Sequence, residues 1–206
     1  MPTIDTIFYI VILIMSVVVH EVAHGFMAEY FGDDTARNEG RLTLNPLKHL
    51  DMFGSILLPL ILVVIKAPFL FGWAKPVPYN PNNLRDLKWG TIWVAAAGVL
   101  SNFLIATVFG LFIRFSVSYN FSQNFYEAFS FIVIVNLALA IFNLIPIPPL
   151  DGSKILFSFL PRSMHGIIST YEKYSFIFLI LFIVYFSHTL FPILQFLFHS
   201  LTGLAF

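Results

Sequence analysis

Four stretches of the chain are apolar throughout instead of alternating between apolar and polar positions. No Asp, Glu, Lys or Arg occurs in Thr6–His20, Trp89–Ile113, Ala128–Leu150 or Tyr174–Phe206. A helix needs roughly 20 apolar residues to cross a bilayer. Three of these stretches reach that length alone, and the first does so by continuing through Glu21 to about Tyr30. A polar segment, Phe31–Asp51, follows, with a turn signal at Asn38-Glu39-Gly40. Next to it, Arg41-Leu42-Thr43-Leu44-Asn45 alternates polar and apolar residues, which predicts a short strand in a β-hairpin. Met52–Ile65 is a shorter apolar run containing Pro59, and Phe71–Asn83 carries Pro76, Pro78 and Pro81, so an irregular loop is predicted there. Pro146, Pro148 and Pro149 end the third long stretch just before Asp151-Gly152. Ser153–Glu172 reads as a polar return with a short helix, and Pro192 predicts a kink or a second short helix within Tyr174–Phe206.

Composition agrees. The 206 residues are 58% hydrophobic and only 11% charged, against about a quarter charged in a soluble domain. The expected fold is an all-α multi-pass membrane protein. It has about four full transmembrane helices, a re-entrant or hairpin segment at 52–70 and a short β-hairpin at Arg41–Asn45, in a single domain over residues 1–206. Met1–Thr6 offers no basic start and no small-x-small cleavage site follows, so the first stretch is expected to remain as a mature helix. Net charge is zero and there is no basic run, so nothing points to a nucleic-acid partner and none is expected. The absence of cysteine removes disulfides, thiolate metal sites and a cysteine nucleophile.

The first helix carries His20-Glu21-Val22-Ala23-His24, an H-E-x-x-H pattern. Residues i and i+4 lie about 40° apart around a helix, so both imidazoles face one point. Two such ligands leave room for a third and for water, as at catalytic zinc. Glu21 can then lie beside the metal as general base without binding it. This composition produces the pattern by accident roughly 0.004 times per chain. Ionisable groups inside a membrane helix are also costly and functional by default. For the third ligand, Asp33, Asp34, Asp51 and Asp86 lie in polar loops, where a solvated carboxylate is the ordinary expectation. Asp151 lies at the Pro-broken end of an apolar helix, where it is either a ligand or a helix-ending turn.

His20–His24 together with Asn143-Leu144-Ile145-Pro146-Ile147-Pro148-Pro149-Leu150-Asp151-Gly152 resembles the paired signature of the site-2 proteases. The second motif of that family, N-x-x-P-x-P-x-L-D-G, is matched at every fixed position. Phe71-Gly72-Trp73-Ala74-Lys75-Pro76-Val77-Pro78 is similar to a loop of the family's short microbial members. Ala97-Gly98-Val99-Leu100-Ser101-Asn102 is similar to its G-P-x-x-N helix motif, with Val99 in place of proline. The resemblance implies one Zn2+ per chain on His20, His24 and Asp151, catalysis by Glu21, and cleavage of membrane-embedded protein substrates. It also implies that Asn102 and Asn143 flank the active site and hold substrate backbone or the developing oxyanion. The alternative for both is an interhelical hydrogen bond. A zinc-binding membrane transporter or a proteolytically inactive scaffold is the rival class. Partners are expected to be the bilayer, the membrane-protein substrate, and a regulatory membrane protein or a second copy of the chain.

One zinc can be reached by both His24 and Asp151 only if the end of the first helix and the end of Ala128–Pro146 lie on the same side. A re-entrant 52–70 satisfies this. It places Arg37, Arg41, Lys48, Lys66, Lys75, Arg85, Lys88, Lys154, Arg162 and Lys173 on one side and Arg114 alone on the other. That ten-to-one split contrasts with seven to four if the segment spanned. By the positive-inside rule the cell-membrane protein is expected to have its zinc site towards the cytoplasmic face.

Overall fold

The computed structural model describes residues 2–66, 74–116, 119 and 121–206. Among them the secondary structure is helical: α1 (Pro2–Tyr30), α2 (Thr35–Asn38), α3 (Leu58–Val64), α4 (Leu87–Ser116), α5 (Gln123–Asn143), α6 (Asp151–Phe159), α7 (His165–Lys173), α8 (Ser175–Phe186) and α9 (Leu190–Thr202). Four helical stretches are long and apolar enough to cross a membrane: Thr6–Tyr30, Leu87–Ser116, Gln123–Asn143 and Ser175–Thr202. The last is α8 and α9 joined by a 3-10 turn at Ser187–Thr189. Pro192, in the first turn of α9, cannot donate to the preceding turn, which accounts for the break.

The α4 helix is central and packs on α1, α5, α6 and α9. Ala106 and Ile113 of α4, Val133 and Leu137 of α5 and Phe198 of α9 form a buried apolar cluster. Outward positions such as Ile7, Leu104 and Val184 are apolar and exposed, as a lipid-facing surface requires.

No β-strand occurs among the described residues, so the expected hairpin at Arg41–Asn45 is corrected. The backbone there is held by local bonds instead. Thr43 N–H donates to the Arg41 carbonyl at 3.0 Å, and the Asn45 side chain accepts from Leu47 N–H to cap a 3-10 turn, Pro46–His49. The neighbouring extended segment carries Pro76 and Pro78, which cannot donate to a ladder. Lys75 O and Pro76 O accept from the Arg41 guanidinium instead.

A π-helical turn, Met52–Leu57, leads into α3. Together they rise about 20 Å at most, short of the roughly 30 Å bilayer core. Lys75 N–H donates to the His49 carbonyl at 2.8 Å. Residues 49 and 75, on either side of this segment, therefore lie next to each other. Phe71, Gly72 and Trp73 of the loop motif lie outside the described residues.

Asp33 departs from the expectation of a solvated carboxylate. It is fully buried and accepts from the Thr35 hydroxyl (2.5 Å), Asn80 N–H (2.6 Å) and the Asn83 amide (2.8 Å). Burial alone would raise its carboxyl, but these donors outweigh it and hold the group below the usual carboxylate range. A depressed folded-state value stabilises the protein above the unfolded value of about 3.9 and is lost as pH falls through the folded value. Asp33→Asn is thus expected to lower thermal stability at pH 7, by about 1–3 kcal/mol for a buried group left with the wrong partners. The gap to wild type should narrow below about pH 4. Melting curves from pH 3 to pH 7 check this, and an unchanged gap would contradict it.

Candidate metal centre

The centre arises where two four-residue stripes meet. Ser16, His20 and His24 lie one above another on α1, as residues at i, i+4 and i+8 must. Val94, Gly98 and Asn102 do the same on α4, running the opposite way. His20 Nδ1 donates to Asn102 Oδ1 at 2.6 Å and His24 Nδ1 donates to the Val94 carbonyl at 2.6 Å. A carbonyl can only accept, so the proton of His24 sits on Nδ1. Asn102 is oriented just as firmly, because its amide nitrogen donates to Ser16 O (3.2 Å) and Asn136 Oδ1 (2.8 Å). Asn136 in turn donates to Ser16 Oγ and Ile132 O, both at 2.9 Å. These bonds leave both Nε2 atoms as bare lone pairs.

The Nε2 lone pairs face each other at 3.0 Å. Asp151, the first residue of α6, brings Oδ2 to 3.1 Å from His20 Nε2 and 3.2 Å from His24 Nε2. That oxygen is buried and has no hydrogen-bond partner, while Oδ1 lies 3.3 Å from Lys154 Nζ. Three electron-rich atoms thus converge, with His20, His24 and Asp151 all nearly excluded from solvent. Such a group repels itself unless a cation lies between its members. A tetrahedral ligand set at 2.0–2.1 Å places its donor atoms roughly 3.3 Å apart, within a few tenths of an ångström of the observed spacing. The donor set fits a divalent metal.

Two glycines make the approach possible. A Cβ on Gly98 would stand 2.5 Å from His24 Nε2 and 2.6 Å from His20 Cε1. A Cβ on Gly152 would run into the carbonyls of Leu144 and Ile145, at the end of α5. Gly98→Ala is expected to displace both imidazoles and lower metal affinity about tenfold or more, the scale of lost support around a ligand. Chelator competition measures this, and unchanged affinity would contradict it.

Glu21 is half-buried, and its Oε2 accepts from Val77 N–H at 2.9 Å. Asn143 is half-buried near the end of α5 and donates to Leu139 O at 3.0 Å. The structure therefore gathers His20, His24 and Asp151 and sets Glu21 beside them. It places Asn102 behind His20, fully buried with its amide committed. Sequence reasoning gave no role to Ser16, Val94 or Asn136 and took Gly98 only as part of a motif; the four-residue spacing of each stripe was the available signal for Ser16, Val94 and Gly98, and Asn136 on α5 had none.

A helical membrane protein built around two histidines and one aspartate, aimed at a metal, is the class that fold and site define. Residues 119–186 match peptidase family M50. The chain is 39% identical over 196 residues to a protein of Bacillus subtilis (strain 168) named "Putative zinc metalloprotease YwhC", covering 91% of this chain and 86% of that one. It is also 30% identical over 140 residues to "Putative zinc metalloprotease Rip2" of Mycolicibacterium smegmatis (strain ATCC 700084 / mc(2)155), covering 68% of this chain and 52% of that protein. No solved structure matches. The chain belongs to peptidase family M50, the site-2 protease family, and is a metalloprotease.

Proposed function

We propose that the chain is an intramembrane zinc peptidase that hydrolyses peptide bonds in or next to transmembrane segments of other membrane proteins. The observation that carries this is the convergence of Asp151 Oδ2, from the start of α6, with His20 Nε2 and His24 Nε2 on the membrane-length α1, where Glu21 follows His20 in the chain. One zinc held by these three atoms would supply a Lewis acid for the scissile carbonyl and a water acidified to a pKa of about 7. Glu21 accepts the proton of the attacking water and hands it to the leaving amine. One of its oxygens is occupied by Val77 N–H, which fixes the carboxylate and leaves the other oxygen for the proton. Asn102 acts as a positioning residue, since its carbonyl oxygen holds His20 Nδ1–H and its amide nitrogen is spent on Ser16 and Asn136. Asn143, on the last turn of α5, is the group left to meet substrate backbone.

A transport function would favour polar groups strung across the bilayer. The histidines and Glu21 instead gather at one level of α1. In vesicles holding a zinc indicator, the protein is expected to cut a single-span substrate without moving zinc; zinc entry without cutting would favour the transporter.

The site is proposed to face the cytoplasm, following the charge asymmetry. With no native cysteine, single cysteines at Asn38, Asn80, Gln123 and Ser163 report sidedness. An impermeant thiol reagent outside intact cells is expected to label only Gln123→Cys. Labelling of Asn80→Cys with Asn38→Cys protected would mean that 52–70 spans.

A further inference from the structure

Residues 74–80 form an extended strap without helix or strand, fastened at successive backbone atoms. Lys75 N–H is held by His49 O at 2.8 Å. The carbonyls of Lys75 and Pro76 both accept from Nη2 of Arg41, at 2.9 and 3.1 Å. Val77 N–H donates to Glu21 Oε2, and Asn80 N–H donates to Asp33 Oδ2. Pro76 and Pro78 have no N–H, so Val77 carries the only amide proton of residues 76–78, and it is spent on Glu21. The Val77 side chain is buried against Gly25, where a Cβ would stand 2.8 Å from Val77 Cγ1. Arg41 is itself only 5% exposed. Arginine is costly to bury unless its donors are used in a defined geometry; here Nε is buried without a partner, and Nη2 is used on the two carbonyls that immediately precede Val77.

We infer that Arg41 is a positioning residue for Glu21: by clamping the carbonyls of residues 75 and 76 it presents the Val77 N–H to one carboxylate oxygen and frees the other for proton transfer. The role rests on the reading of Glu21 as the general base. Misplacing a catalytic group by about 1 Å can cost on the order of a hundredfold in rate, so the effect falls on kcat, whereas the ligands His20, His24 and Asp151 are untouched.

The test compares R41M, R41K, E21Q and E21A in the full-length protein on a single-span test substrate in vesicles. Zinc content and hydrogen exchange of the Val77 amide are measured by mass spectrometry. R41M is expected to lower kcat about tenfold or more with little change in KM and full zinc content, and to speed Val77 exchange at least as much. R41K, whose ammonium reaches one carbonyl more readily than two, should recover part of both. If R41M fails to hold zinc, R41K carries the comparison, with a smaller kcat loss expected at full zinc content. E21A should expose Val77 to exchange whatever the chemistry of Glu21. Wild-type kcat in R41M beside an inactive E21Q overturns the inference alone. Full activity in E21Q instead refutes the base and the catalytic part of the inference with it. Unchanged Val77 protection in both R41M and E21A overturns the clamp itself.

Discussion

Replacing His24 by alanine is expected to strip the purified protein of most of its zinc. Zinc sites in small domains bind with roughly 10–16 kcal/mol over four ligands, so one ligand is worth about 3 kcal/mol, or about a hundredfold in affinity. The loss should be larger than that of an isolated ligand, because Asp151 Oδ2 and His20 Nε2 are placed by the same packed interface and would be left facing each other at 3.1 Å. Asp151→Asn keeps the shape but removes the charge, so it should weaken binding and abolish cleavage. Zinc analysis of the membrane-extracted variants measures the loss of metal in each, and cleavage of a test substrate measures the loss of activity. Full occupancy in the double variant His20→Ala/His24→Ala would remove these residues from the ligand set.

Glu21→Gln is expected to behave differently, and the difference separates binding from chemistry. Glutamine retains an oxygen for Val77 N–H, so the strap and the metal ligands stay in place. It cannot take a proton from water. A positioned base contributes about 10²–10⁴-fold, and cleavage should fall by that factor while zinc content stays at the wild-type level. Near wild-type cleavage would refute the base, and loss of zinc would make Glu21 a ligand or a structural group.

Much of this arrangement was legible in the chain because the informative features are local. A charge-free run of membrane length and two histidines one helical turn apart can be read from a single segment. Asp151 required more: its own surroundings were as consistent with a turn as with a ligand, and only the paired motifs singled it out. Asn102 shows the limit. Its distance from His20 is fixed by how α4 lies against α1, and that packing turned a candidate substrate contact into the acceptor for His20 Nδ1–H. The carbonyl of Val94 carries no side-chain signal at all, yet it sets the tautomer of His24. Arg41–Asn45 has the alternation of a strand, but a strand needs a partner with free donors. The adjacent prolines remove them, leaving Arg41 to bind the carbonyls. Asp33 reads as an ordinary loop carboxylate until Asn80 and Asn83, about 50 residues on, fold back over it.

The most direct measurement is cleavage of a single-span test substrate by the purified protein in lipid vesicles, before chelation, after it, and after zinc is restored. Hydrolysis within or beside the substrate's membrane segment, abolished by the chelator and recovered with about one zinc per chain, is the expected result. Cleavage that proceeds unchanged in the metal-stripped protein, with zinc absent by direct analysis, would contradict a zinc peptidase centred on His20, His24 and Asp151.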